Sequence, residues 1–333
     1  MDPITGVEKV LTTFTGVLGD GANPVGTLVR DSSGNLYGTT VDGGAHKQGT
    51  LYEITPTGEK IGQLVFDGAN GGTSFAGLVL DKKGNLYGTT SAGGTTGNGV
   101  VFRLHISPRK DTVLYNFTGS GGDGSDPIGA LLRDAAGNLY GTTPIGGIYG
   151  GACGSKGCGI VFKIEPSGTE TVLYSFSGGS DGANPQYATL ICDTKGNLYG
   201  TASAGGDSNL GVVFKLNKKG KETVLYSFMG GADGASPYSG VIRDQAGNLY
   251  GSTLQGGGTG CSDQMGCGTI FKLSTTGGET ILHRFTGGSD GAYPWGLLQD
   301  AAGDLYGTTG NGGGGNKKIC GTEGCGVLFK ITP

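Results

Sequence analysis

The sequence predicts an all-β chain forming a single six-bladed β-propeller over residues 1–333, with four antiparallel strands per blade and the last blade closed by the N-terminal strand. Three observations carry this expectation. The phrase Gly-Asn-Leu-Tyr-Gly-Thr-Thr recurs six times with little change, at residues 34–40, 84–90, 137–143, 196–202, 247–253 and 303–309. Its tyrosines, Tyr37, Tyr87, Tyr140, Tyr199, Tyr250 and Tyr306, are 50, 53, 59, 51 and 56 residues apart. A period of about 50 points to one supersecondary unit stacked many times. Each unit reads as four short strands without a helix, and the two chain ends are complementary parts of one unit.

The fourth unit, residues 181–228, gives the order of elements. Asp181-Gly-Ala-Asn-Pro185 is a turn signal, and Thr189-Leu-Ile-Cys-Asp193 is the apolar run of the first strand. Thr194-Lys-Gly-Asn197 is a turn of the hairpin type, and residues 198–203 follow as the second strand. A glycine-rich loop leads into the third strand, Val212-Val-Phe-Lys-Leu216. The turn Asn217-Lys-Lys-Gly220 introduces the fourth, Thr223-Val-Leu-Tyr-Ser-Phe228. Strands of about 5–6 residues with such links fit a propeller blade. A β-solenoid would need one coil per roughly 20–30 residues. The chain begins with Val7-Glu-Lys-Val-Leu-Thr-Thr-Phe14, a fourth-strand sequence, and ends with Gly326-Val-Leu-Phe-Lys-Ile331, a third-strand sequence. The N-terminus can therefore complete the last blade and leave no open edge.

Composition agrees. Glycine supplies 74 of 333 residues without a Gly-X-Y period, which excludes collagen. Interleaved with strand-like runs, the glycines read as tight turns and close backbone approaches. The net charge is −4 and the basic residues are scattered, which argues against a nucleic-acid partner. No apolar stretch approaches the roughly 18–20 residues of a membrane span. The first seven residues do not read as a signal peptide, so the chain is expected to be a mature form, and a monomer.

The runs Asn-Leu-Tyr-Gly-Thr-Thr, Gly-Val-Val-Phe-Lys-Leu and Thr-Val-Leu-Tyr-Ser-Phe resemble the GloVer (Gloeo/Verruco) tandem-repeat family across all six units. The resemblance implies an exported bacterial propeller, in a family often carrying a separate surface anchor. It brings no established activity and no catalytic signature. Strand order is also loosely similar to kelch and NHL propellers, without the tryptophan typical of kelch units.

Three of the six loops between second and third strands carry paired cysteines: Cys153/Cys158, Cys261/Cys267 and Cys320/Cys325. Four or five intervening residues let such a pair bridge across a small loop. Structural zinc prefers C-x2-C spacing with a second Cys or His pair close by, and no histidine lies near. Disulfides are expected, hence an extracellular or cell-envelope location. Cys192, in a first strand, reads as a buried inert thiol.

Residues shared by every unit are best explained by the unit. The aspartates before each Gly-Asn turn (Asp31, Asp81, Asp134, Asp193, Asp244, Asp300) read as turn residues accepting backbone N–H bonds. So do Asp20, Asp67, Asp123, Asp181, Asp233 and Asp290 in the links between units. No cofactor or metal site is expected, calcium being the one ion those links would suit. Function is sought where the copies differ. Just after each link the units present Val25, Phe75, Ile128, Tyr187, Tyr238 and Trp295, an aromatic and apolar set expected at one channel mouth. Phe75, Tyr187, Tyr238 and Trp295 are the expected ligand-binding residues, since aromatic platforms suit sugars and other flat ligands. The plainer alternative is that they fill the mouth. His46, Tyr149, Asp207 and Gln264 lie in loops expected on the same face. Arg30, Arg133 and Arg243, at the far end of alternate first strands, form either an anion site or bridges to acidic neighbours.

Catalytic signals are sparse: three histidines, no His-Glu-x-x-His and no phosphate loop. His46, Tyr187, Tyr238 and Asp126 are the groups available at the mouth. The expected function is an extracytoplasmic propeller binding a glycan or small polar-aromatic ligand. The alternatives are a polysaccharide lyase or hydrolase at the same mouth, and a purely structural surface module.

Overall fold

In the computed structural model, which describes residues 10–17, 19–258, 260–261, 265–314 and 324–333, each copy of the repeat is one antiparallel sheet. Five sheets have four strands in chain order, and the sixth has three among the described residues. In the fourth sheet Ile191–Cys192, Leu198–Ala202, Val212–Leu216 and Glu222–Ser227 pair in succession. The fold is the six-bladed β-propeller that the period implies. Among the described residues helix is confined to the 3-10 turn Gly151–Cys153. By contacts the chain divides into two compact units: Met1–Gly141 with Lys163–Thr171, and Thr142–Phe162 with Val172–Pro333.

Each residue of the repeated phrase has a physical task. In the fourth blade Asp193 Oδ1 accepts the N–H groups of Lys195 and Asn197, both at 2.9 Å, closing the turn. Its Oδ2 accepts the Asn197 amide at 2.8 Å and the Tyr199 hydroxyl at 3.0 Å. Burial raises the Asp193 carboxyl, but these four donors outweigh it and hold it at about 2. The tyrosine-to-aspartate bond recurs in all six blades. The leucine is buried, and the next glycine lies under the ring of a third-strand aromatic. The first threonine of the closing pair bonds the next blade: Thr39 donates to the Ala76 carbonyl, Thr89 to Gly129, Thr142 to Pro185 and Thr201 to Ser239. The aspartates are therefore turn residues, as expected.

Packing between successive blades within each unit is aromatic. The phenylalanine ending one fourth strand meets the third-strand phenylalanine of the next blade edge-on: Phe66 on Phe102 at 5.4 Å, Phe176 on Phe214 and Phe228 on Phe271 at 5.2 Å. All are 2% exposed or less. At the N-terminus, residues 7–9 of the expected closing strand lie outside the described residues, and residues 10–14 join no described sheet. Within the first unit, however, Phe14 packs on Tyr52 at 4.7 Å and the Leu11 carbonyl sits against Gly58. The carbonyls of Leu114, Leu173 and Leu225 sit likewise against Gly168, Gly220 and Gly277. Toward the first sheet, then, the segment stands where a preceding fourth strand stands.

Candidate functional site

Three of the four expected ligand-binding residues come together. Tyr187 and Tyr238 are stacked, with ring centroids 6.2 Å apart and planes 24° from parallel. Trp295 meets Tyr187 edge-on at 5.9 Å and is 39% exposed. Both arrangements are favourable for aromatic quadrupoles. Tyr187 and Tyr238 come from the segments leading into the first strands of blades four and five, and Trp295 from within the first strand of blade six, Ala292–Gln299, all in the second unit. The backbone beneath is anchored: Ser252 Oγ donates to the Trp295 carbonyl at 2.9 Å and lies 3.0 Å from Ser239 Oγ.

Tyr187 holds an uncommon backbone, φ 45°, in the left-handed region. A length difference accompanies it. The segment from Asp181 to Asp193 is one residue longer than that from Asp233 to Asp244, and that from Asp290 to Asp300 is one shorter. Counted back from Asp193, Asp244 and Asp300, Tyr187 and Tyr238 share one position and Trp295 holds the next, although the sequence reading treats all three as equivalent; counting the links would have shown it. Burial first, and then Tyr238, push the Tyr187 phenol above its ordinary value. It remains a protonated donor at neutral pH.

The chain matches the Gloeobacter/Verrucomicrobia repeat over residues 1–152 and again over 150–333. It belongs to the Gloeobacter/Verrucomicrobia repeat family. This repeat protein is similar in structure to a luciferin-regenerating enzyme, with TM-score 0.54 and 15% identity over 95% of this chain and 93% of that one. It is also similar to the PQQ-bound aldose sugar dehydrogenase of Streptomyces coelicolor, with TM-score 0.53 and 14% identity over 93% and 94%. A gluconolactonase from Xanthomonas campestris gives TM-score 0.50 and 14% identity over 95% and 88%. At such identities the likeness shows the fold. No curated protein matches the chain in sequence.

Phe75, His46 and Asp126 belong to the first unit. His46 is exposed, and Asp126 has φ 57° and accepts from Ser125 Oγ at 3.1 Å. Gln264 lies outside the described residues. Arg133 lies 3.6 Å from Asp81 and over the Tyr87 ring at 5.5 Å, while Arg30 and Arg243 are exposed on their first strands.

The cysteines divide three ways. Disulfides Cys153–Cys158 and Cys261–Cys267 are formed, and all four of these residues are buried. The third expected pair, Cys320 and Cys325, departs from that pattern. Cys325 is disulfide-bonded but exposed, and its N–H donates to the Gly314 carbonyl at 3.2 Å. Cys320 lies outside the described residues, so the pairing Cys320–Cys325 stays an expectation where the other two bridges are observed. Cys192, expected buried, is exposed: it ends a two-residue ladder beside the turn, and its thiol donates to the Asp193 carbonyl at 3.3 Å.

Among the described residues no group of three or more His, Cys, Asp or Glu could hold a metal ion. A cavity of about 260 Å³ lies at the edge of the first sheet, lined by Asp20, Tyr52, Lys60, Ile61 and Gly62. Its charged groups, Asp20 and Lys60, pair with each other at 2.7 Å, so it offers a ligand less than the aromatic cluster does.

Proposed function

We propose that this protein is an extracytoplasmic binding propeller that takes a glycan, or another flat and partly apolar ligand, on Tyr187, Tyr238 and Trp295. The observation that carries the reading is Tyr187. A tyrosine held in the left-handed region costs on the order of 1–3 kcal/mol, and outliers of this kind cluster at ligand-binding sites. Here the outlier stacks an aromatic ring on a neighbour beside an exposed tryptophan. The raised phenol favours binding over lyase or hydrolase chemistry, because a general base works best with a pKa near the working pH. Two disulfides support an oxidising compartment. Among the described residues no helix is long and apolar enough to cross a membrane.

A glycan-array screen followed by calorimetry tests the reading. Trp295→Ala and Tyr238→Ala should each weaken binding about thirtyfold, since a central stacking group is worth on the order of 2 kcal/mol. Their melting temperatures should stay near the parent's. If no glycan or flat ligand binds and Trp295→Ala unfolds the protein, the three rings are packing and the ligand site is withdrawn.

A further inference from the structure

A second repeated feature lies away from the aromatic cluster, at the outer joints between successive blades. The residue six positions before the phenylalanine closing each fourth strand is Lys60, Asp111, Glu170, Glu222 or Glu279. In the first blade it reaches the aspartate of the preceding link, with Lys60 Nζ 2.7 Å from Asp20 Oδ1. Three blades place a glutamate there instead, close enough to the aspartate of the preceding link for the two carboxyl groups to repel each other.

We propose that the pairs Asp123–Glu170, Asp181–Glu222 and Asp233–Glu279 each hold one proton and act as pH-sensitive latches between blades. Each aspartate is held by several donors. Asp123 Oδ2 accepts the Tyr115 hydroxyl at 3.0 Å and the Thr118 N–H and hydroxyl at 2.7 and 2.9 Å, and Oδ1 accepts the Gly124 N–H at 2.6 Å. Asp181 accepts Tyr174 and the Ser177 N–H, both at 2.8 Å, and Asp233 accepts Tyr226 at 2.5 Å and the Met229 N–H at 2.6 Å. Each glutamate has its Oε1 buried without a hydrogen-bond partner. A buried carboxylate oxygen with no donor, beside a second carboxyl group that already holds several donors, is unfavourable, so the glutamate takes the proton. Burial first, and then the aspartate, push all three glutamates up to about 7. The titratable or charged neighbours facing them are Tyr115, Tyr174 and Tyr226, whose phenols are also raised and stay protonated, and Arg284, which opposes the shift at Glu279. A metal ion suits these pairs poorly, because it would have to displace the donors on each aspartate.

The sign follows from linkage. An unfolded glutamate titrates near 4.5 and these titrate at about 7 in the folded chain, so between those values the folded chain holds protons that the unfolded chain lacks. The stability contributed by the latches is complete below about pH 4.5 and is lost as pH rises through about 7. The carboxyls held low, such as Asp31, Asp81, Asp134, Asp193 and Asp244, act with the opposite sign and below about pH 4.

Urea unfolding of the whole chain from pH 5 to 8, with calorimetric proton counting at pH 6, tests this. The parent should release about three more protons on unfolding than E170Q/E222Q/E279Q, a difference that cancels the histidines. Its urea midpoint should fall from pH 6 to 8 while the variant's stays level. E222K, copying the Lys60–Asp20 pair, should raise the midpoint at pH 8 and stands in if the triple variant fails to fold. Equal proton release in parent and triple variant would overturn the proposal, as would an E222K midpoint below the parent's at pH 8. So would a calcium-dependent rise at pH 8 that the glutamine variant lacks, because the pairs would then hold a cation.

Discussion

Gly200→Ala tests the packing logic of the repeat at one atom. Gly200 does not adopt positive φ, so its need for glycine comes from space. An alanine Cβ there would lie 2.8 Å from Phe214 Cζ and 2.8 Å from Leu190 Cδ2. Both neighbours are fully buried and cannot swing away. The same approach recurs at Gly88 under Phe102, Gly251 under Phe271 and Gly307 under Phe329. Overpacking of a close-packed core costs about 1–3 kcal/mol, whereas Gly→Ala recovers about 0.4–1 kcal/mol of unfolded-chain entropy. The net expectation is a loss of about 1–2 kcal/mol, or roughly 1.5–3 °C in melting temperature for a chain of this size. Scanning calorimetry and urea unfolding measure it. Phe214→Leu in the alanine background should recover part of the loss, giving a coupling of at least about 0.5 kcal/mol in the double-mutant cycle. A stabilised Gly200→Ala protein, or strict additivity in the cycle, would refute the reasoning.

Deleting residues 1–15 removes the Phe14 ring from Tyr52 and from Lys60 Nζ, which lies 4.3 Å from the ring centroid, together with the Thr13 carbonyl that accepts from Lys60. The melting temperature should drop by at least the equivalent of about 1 kcal/mol, and an unchanged value would show that the segment holds nothing. Thiol titration of the unfolded chain should rise by four after reduction for the two described bridges, and by six with the expected Cys320/Cys325 pair. No rise would mean open disulfides. Each bridge closes a short loop and should contribute about 2 kcal/mol.

What was legible in the sequence follows from range. The turn aspartates, the hairpin order and the pairs Cys153/Cys158 and Cys261/Cys267 depend on neighbours within six residues, and all appear as read. The reason for the glycine in the phrase was not legible, because the ring that excludes a side chain arrives from another strand. Nor were the latches: Asp181 and Glu222 are 41 residues apart and meet only when blades stack. Cys192 shows the converse. An apolar neighbour sequence suggests burial, yet a two-residue ladder at a turn leaves the thiol exposed.

The commitments of the repeat also explain where ligand recognition can lie. The Asp–Tyr bond, the glycine under its aromatic ring and the threonine reaching the next blade occupy nearly every shared side chain. A residue so engaged cannot be exchanged without loosening its blade, so recognition has to use positions where the copies differ. Trp295 illustrates how the scaffold permits this. Its carbonyl accepts from Ser252 just as the Ser239 carbonyl accepts from Thr201, so its backbone takes the shared place in a link one residue shorter. Its indole, which no shared contact needs, projects to solvent beside Tyr187. One residue more in the fourth link and one fewer in the sixth are thus enough to set two different aromatic side chains on an unchanged frame.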